Sequence, residues 1–124
     1  MVQGDYVYQG GYRGIHELWK LNEKPTAVFV TNYDMSMGAM EAIYVLEIRI
    51  PQQLSVAVFD DFELSVMVNP KLTSVRQPLV ELADAACELL LRRMNGDESD
   101  YPKRIRLKPS CIYRESVQNL NSSQ

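Results

Sequence analysis

Apolar residues at Tyr8, Tyr12, Ile15 and Trp19 recur three to four positions apart, the period of a helix with one buried side, and the turn-forming Asn22-Glu23-Lys24-Pro25 closes that segment after Leu21. Residues 26–30 are a short, unbroken apolar run, as expected of a parallel strand buried on both faces. Asn32 is an N-cap type and Asp34 a first-turn anion, which predicts a helix running to about Leu46. That helix carries two apolar stripes: Met35, Ala39, Ala42, Ile43 and Leu46 on one side, and Met37, Met40 and Tyr44 on another. One stripe can face a sheet, and the second needs a different partner.

Arg49-Ile50-Pro51 breaks the helix and leads into a second apolar strand over 54–59, which stops at Asp60-Asp61. Residues 63–68 read as either one helical turn or two. A brief strand is predicted over 73–77, and Pro78 stands where it can open a helix that ends at Asn95-Gly96. Two short strands follow over 104–107 and 111–115, and the polar 119–124 reads as a frayed tail. Strands alternating with helices argue for an α/β fold, a parallel sheet flanked by helices.

Composition narrows the function. At 124 residues, with 46% hydrophobic and 23% charged residues, the chain is an ordinary globular domain that needs no metal or disulfide to hold its core. Its net charge of -3 with dispersed basic residues lacks the footprint of a phosphate-gripping surface, so this stretch alone is not expected to bind DNA. Cys87 and Cys111 fit no zinc or disulfide pattern and are expected as reduced thiols. With no signal-like N-terminus and no span-length apolar stretch, the expected address is cytoplasmic, without membrane contact.

In open α/β sheets ligands bind at the carboxyl ends of parallel strands. Asn32 follows the run 26–30, Asp60 follows 54–59 and Gln77 follows 73–75, and two amides with a carboxylate can donate to and accept from a polyhydroxylated ligand. The same residue types also serve as caps and turn formers, so that alternative stands beside the first. Asp60-Asp61 with Asp34 could hold magnesium or act as a base, but adjacent carboxylates after a strand are more often a cap and an exposed turn residue, so no catalytic role is assigned. His16 has no partner histidine or cysteine nearby and reads as solvated or packed. Gly10, Gly11 and Gly14 fit no phosphate loop and are expected to ease helix entry. Tyr6 and Tyr8, beside Asp5, offer rings that either stack on a sugar face or line the core edge.

Four ordered blocks carry a family resemblance: Pro25-Thr26-Ala27 through Asn32; Arg49-Ile50-Pro51 with Leu54-Ser55-Val56 through Asp60-Asp61; Pro70 through Pro78, with Leu72-Thr73-Ser74-Val75 and Gln77; and Arg114-Glu115-Ser116. Together they resemble the effector-binding domains of LacI/GalR-type transcription regulators, catabolite control proteins among them. Tyr33, Gln53 and Ala57 depart from the pattern.

The resemblance implies a periplasmic-binding-protein-like type I fold, here as the C-terminal part of the effector domain. It implies a core of residues 1–77 and 96–118 and a helix over 78–95 that packs on an N-terminal subdomain outside this chain. It implies a sugar or sugar-phosphate effector contacted by Tyr6, Asn32, Asp60 and Gln77. It also implies a homodimer through Met37, Met40, Tyr44, Met67 and Val68, operator DNA reached only through a missing helix-turn-helix, and a phosphocarrier corepressor protein as a further partner. A sugar-binding protein of a transport system shares the fold and is the alternative.

Overall fold

The computed structural model describes residues 1–99 and 102–119. Its elements are α1 (Tyr8–Trp19), β1 (Ala27–Val30), α2 (Tyr33–Val45), β2 (Ser55–Phe59), α3 (Leu64–Met67), β3 (Thr73–Arg76), α4 (Leu79–Met94) and β4 (Ser110–Ile112). They fall into two compact units, one of residues 1–76 with the closing segment from Cys111 onward, the other of residues 77–110. No described helix is long and apolar enough to cross a membrane.

In the first unit β1, β2 and β3 pair in parallel, with Val28 opposite Val56 and Val58 opposite Ser74, and β4 extends the sheet beyond β3. Parallel neighbours require a crossover. Helix α2 supplies the first, and the single turn of α3 sits in the second. Burial alternates along β2, where Val56 and Val58 are buried and their neighbours half-buried, and Phe29 on β1 is 52% exposed. The expectation of strands buried on both faces is therefore corrected. Helix α2 packs on β1 and β2, and its Ala39, Ala42 and Ile43 join Val30, Val56 and Val58 in one core. Each such aliphatic side chain contributes roughly 1.5–3 kcal/mol when fully buried.

Helix α1 lies against α2 through two glycines. A Cβ on Gly11 would run into the Met35 backbone, and one on Gly38 into the backbone of Tyr8 and Tyr12. Gly11, buried inside α1, therefore sets the closeness of the helix crossing rather than easing helix entry, and the equally buried Gly10 faces Asp5.

The second unit holds α4, none of whose residues is buried. Ala85, Leu89 and Arg92 are half-covered, whereas Leu79, Leu90 and Met94 are exposed. The strand expected over 104–107 does not form. Among the described residues of this unit α4 is the one regular element, and an extended segment without a neighbour has nowhere to place its backbone hydrogen bonds. The second expected strand is reduced to Ser110–Ile112. Residues 96–110 group with α4 rather than with the core expected for 96–118. Of the expected frayed tail, residues 120–124 lie outside the described residues.

Candidate functional site

Val30 pairs with Val58 across β1 and β2, and Asn32 and Asp60 each lie two residues further on, so register brings them side by side at the carboxyl edge of the sheet. Asn32 Oδ1 accepts the Met35 N–H at 2.9 Å and caps α2, while its Nδ2 donates to the Tyr6 carbonyl at 3.0 Å. A primary amide has two donors and two acceptor lone pairs, so capping leaves one of each for a ligand.

Asp60 has φ 76, in the left-handed region, and its N–H donates to the Val75 carbonyl at 3.0 Å. A non-glycine residue held there is uncommon, and such strain concentrates at functional sites. Tyr6 is also left-handed, at φ 62, with the residue 72% exposed. Gln77 directly follows β3 and opens the second unit, where its carbonyl accepts the Leu79 N–H at 3.0 Å. The first unit thus brings together Tyr6, Asn32 and Asp60. At the same edge Tyr33 and Phe62, next in sequence to Asn32 and Asp61, make an edge-to-face ring pair at 5.1 Å.

Asp61 has a different task from its neighbour. Its side chain is 4% exposed and accepts from Arg114 at 2.7 and 3.1 Å, from Ser74 Oγ at 2.5 Å and from Arg76 Nε at 2.9 Å. The Arg114 guanidinium, with Ser74 and Arg76 adding to it and burial opposing, holds this carboxyl well below the usual carboxylate range. Arg114 also donates to the Leu72 carbonyl at 2.6 Å. Ser116, fully buried, donates to the Val56 carbonyl at 2.5 Å and accepts the Thr73 N–H at 2.8 Å. The Arg114-Glu115-Ser116 segment therefore stitches β2 to β3, a role that residue types alone did not reveal. The usable signal was Ser74 inside an apolar strand.

Among the described residues no three His, Cys, Asp or Glu side chains are placed to hold a metal ion. Cys87 and Cys111 are free and exposed. His16 lies against the Tyr12 ring at 4.6 Å, with its Nε2 buried and without a protein partner.

A second feature of the first unit is a concavity of about 880 Å³ on the far stripe of α2, lined by Met37, Met40, Tyr44 and Val68 together with Tyr8 and Glu41. The Tyr8 hydroxyl donates to the Glu41 carboxylate across α1 and α2, and that bond raises the Tyr8 pKa. Tyr44 is 84% exposed, and Met67, 78% exposed, stands outside this lining.

Residues 2–117 match the model of the periplasmic binding protein-like domain family. The ribose operon repressor of Haemophilus influenzae is 37% identical over 97% of this chain and 36% of its own length. Catabolite control protein A of Priestia megaterium is 36% identical over 89% of this chain and 35% of its own length. A LacI-family regulator from Enterococcus faecium, solved with bound ribose, superposes at a TM-score of 0.81 with 28% identity, over 94% of this chain and 42% of that one. The lac repressor dimer bound to operator and an anti-inducer superposes at 0.80 with 28% identity, covering 94% of this chain and 40% of that one. The chain spans about a third of the length of the curated relatives it matches.

Proposed function

The chain belongs to the periplasmic-binding-protein-like family, in the form carried by LacI/GalR-type regulators, and from that premise we propose that it is one wall of an effector site for a sugar or related polyhydroxylated molecule. The observation that carries this reading is the pairing of Asn32 and Asp60 at the ends of neighbouring parallel strands, with Tyr6 bonded to Asn32. The Asn32 amide and the Asp60 carboxylate hydrogen-bond ligand hydroxyls, and the Tyr6 ring stacks on an apolar sugar face. Gln77, the residue after β3, is the fourth contact that the family resemblance implies. The exposed apolar side of α4 meets an N-terminal subdomain of the parent protein, and a separate helix-turn-helix of the parent makes the operator contacts. The α2 stripe with Val68 and Met67 meets a second copy about a two-fold axis. A phosphocarrier corepressor is a further partner of a cytoplasmic parent. The regulator is favoured over the transport protein because the relatives above are repressors and LacI-family regulators.

The test is a chemical-shift titration of the chain with D-ribose, which registers binding even in the millimolar range. Shifts are expected at Tyr6, Asn32 and Asp60. Asp60→Ala is expected to weaken them about tenfold, since unpaired polar groups cost about 1–3 kcal/mol. Asp60→Gly suits the left-handed backbone and must lose binding equally, which separates lost contact from misfolding. Saturable binding unchanged in both variants would refute the assignment.

A further inference from the structure

We propose that Asp5, seated on Gly10 and held by Arg13, is a positioning group that fixes the Tyr6 ring at the sheet edge. The inference deepens the effector-site reading and rests on it for its consequence in binding.

Tyr6 sits at φ 62, a conformation that an unrestrained tyrosine visits a few per cent of the time or less. Two contacts hold the backbone there, and a third holds Asp5 itself. Asn32 Nδ2 donates to the Tyr6 carbonyl at 3.0 Å, and Asp5 Oδ1, from the residue before, accepts the N–H of Val7, the residue after, at 3.3 Å. The other carboxylate oxygen, Asp5 Oδ2, accepts from Arg13 Nη2 at 2.6 Å. Gly10 makes room for this arrangement, since a Cβ there would run into the Asp5 carboxylate and lie 3.1 Å from the Asp5 backbone nitrogen. Arg13 stands three residues after Gly10 on α1, hence on the same face, so the glycine seat and the arginine hold Asp5 together.

The pair adds little to stability. Arg13 and Asp5 side chains are 63% and 42% exposed, and exposed ion pairs are weak. Its consequence is conformational. When the binding-competent conformer is a fraction of the population, apparent affinity falls by that fraction, so full release of Tyr6 to ordinary backbone preferences would cost roughly thirtyfold in binding, and with the Asn32 bond to the Tyr6 carbonyl retained about tenfold is expected.

The experiment is NMR on the full chain, comparing Arg13→Gln, Gly10→Ala and Arg13→Lys with the unsubstituted protein and using D-ribose as the probe. A positive φ at Tyr6 gives a strong intraresidue HN–Hα Overhauser effect and a reduced one-bond Cα–Hα coupling. Both signatures are expected in the unsubstituted chain, lost in Arg13→Gln and Gly10→Ala, and largely restored in Arg13→Lys. Ribose affinity is expected to fall about tenfold in the first two variants while their thermal midpoints move by a few degrees at most. Persistence of the positive φ in both variants would overturn the proposal, as would its loss with ribose affinity unchanged. If the unsubstituted chain gives no ribose shifts while Tyr6 still loses its positive φ on substitution, the clamp is supported and the effector-site reading fails.

Discussion

Replacing Asp61 by Asn keeps the shape of the side chain and removes its charge. Arg114, with its side chain 13% exposed, then keeps a largely desolvated guanidinium whose remaining partners are all neutral: the Leu72 carbonyl, Ser74 Oγ and the amide oxygen of the replacement side chain. Breaking a buried pair in this way costs about 3–5 kcal/mol, whereas the Arg76 contact, 54% exposed on the arginine side, is worth about 0–1 kcal/mol. Because Arg114 retains these neutral partners, the low end applies, and a loss of about 3 kcal/mol is expected. That is a large share of the roughly 5–15 kcal/mol that holds a domain. It corresponds to a fall of about 10 °C in thermal midpoint, with a lower urea midpoint at unchanged slope.

The pH dependence carries a sign. A carboxyl whose folded-state pKa is depressed contributes stability above its unfolded value, about 3.9, and loses it as pH falls through the folded value. The gap between the unsubstituted protein and Asp61→Asn is therefore expected to stay level from pH 7 to about pH 5 and to close below about pH 4. Replacing both partners, with Asp61→Leu and Arg114→Met, is expected to recover most of the loss, because apolar substitutes leave no uncompensated charge. Urea melts by circular dichroism across this pH range decide the matter. Equal midpoints at pH 7, or a gap unchanged down to pH 2, would refute the reasoning.

Two further outcomes follow from the packing. Met37→Glu places a charge in the α2 stripe and is expected to weaken self-association at least tenfold, while Met37, 38% exposed, lets the single chain melt nearly as before; sedimentation showing no change in assembly would count against the interface. Gly38→Ala puts a methyl group against the Tyr8 carbonyl and is expected to lower stability by about 1–3 kcal/mol despite better helix propensity, which thermal melts check against Gly14→Ala in the neighbouring helix, where a Cβ meets only an ordinary contact with Val2.

The parts of the fold legible in the sequence are those where local pattern and tertiary burial agree. The N-cap at Asn32, the α2 stripe that buries Ala39, Ala42 and Ile43, and the strand ending at Phe59 all fall where periodicity put them. The strand expected over 104–107 was misread because alternation in Arg104-Ile105-Arg106-Leu107 reports only what a strand would look like if it had a neighbour. Gly11 departs from its expected role for a related reason: how close another backbone comes is a tertiary fact with no local signature. At the candidate site, residue types at strand ends located Asn32 and Asp60, but the left-handed backbone of Tyr6 and Asp60 and the Gly10-Asp5-Arg13 arrangement depend on contacts between segments.

Asp60 and Asp61 show how far identical neighbours can diverge. A strand that simply continued would send the two side chains to opposite faces, one toward solvent. Instead Asp60 takes φ 76 while its N–H stays bonded to Val75, so the chain turns at the edge of β3 without leaving it. Asp61 then reaches Ser74 on β3 and Arg114 on the closing segment. Asp60 is consequently fixed from both directions, by a backbone bond at its own nitrogen and by a buried ion pair one residue later. On the effector-site reading, a carboxylate anchored in that way loses little further freedom when a ligand arrives. The structural carboxylate next door thus holds the half-buried one in place before any ligand is present.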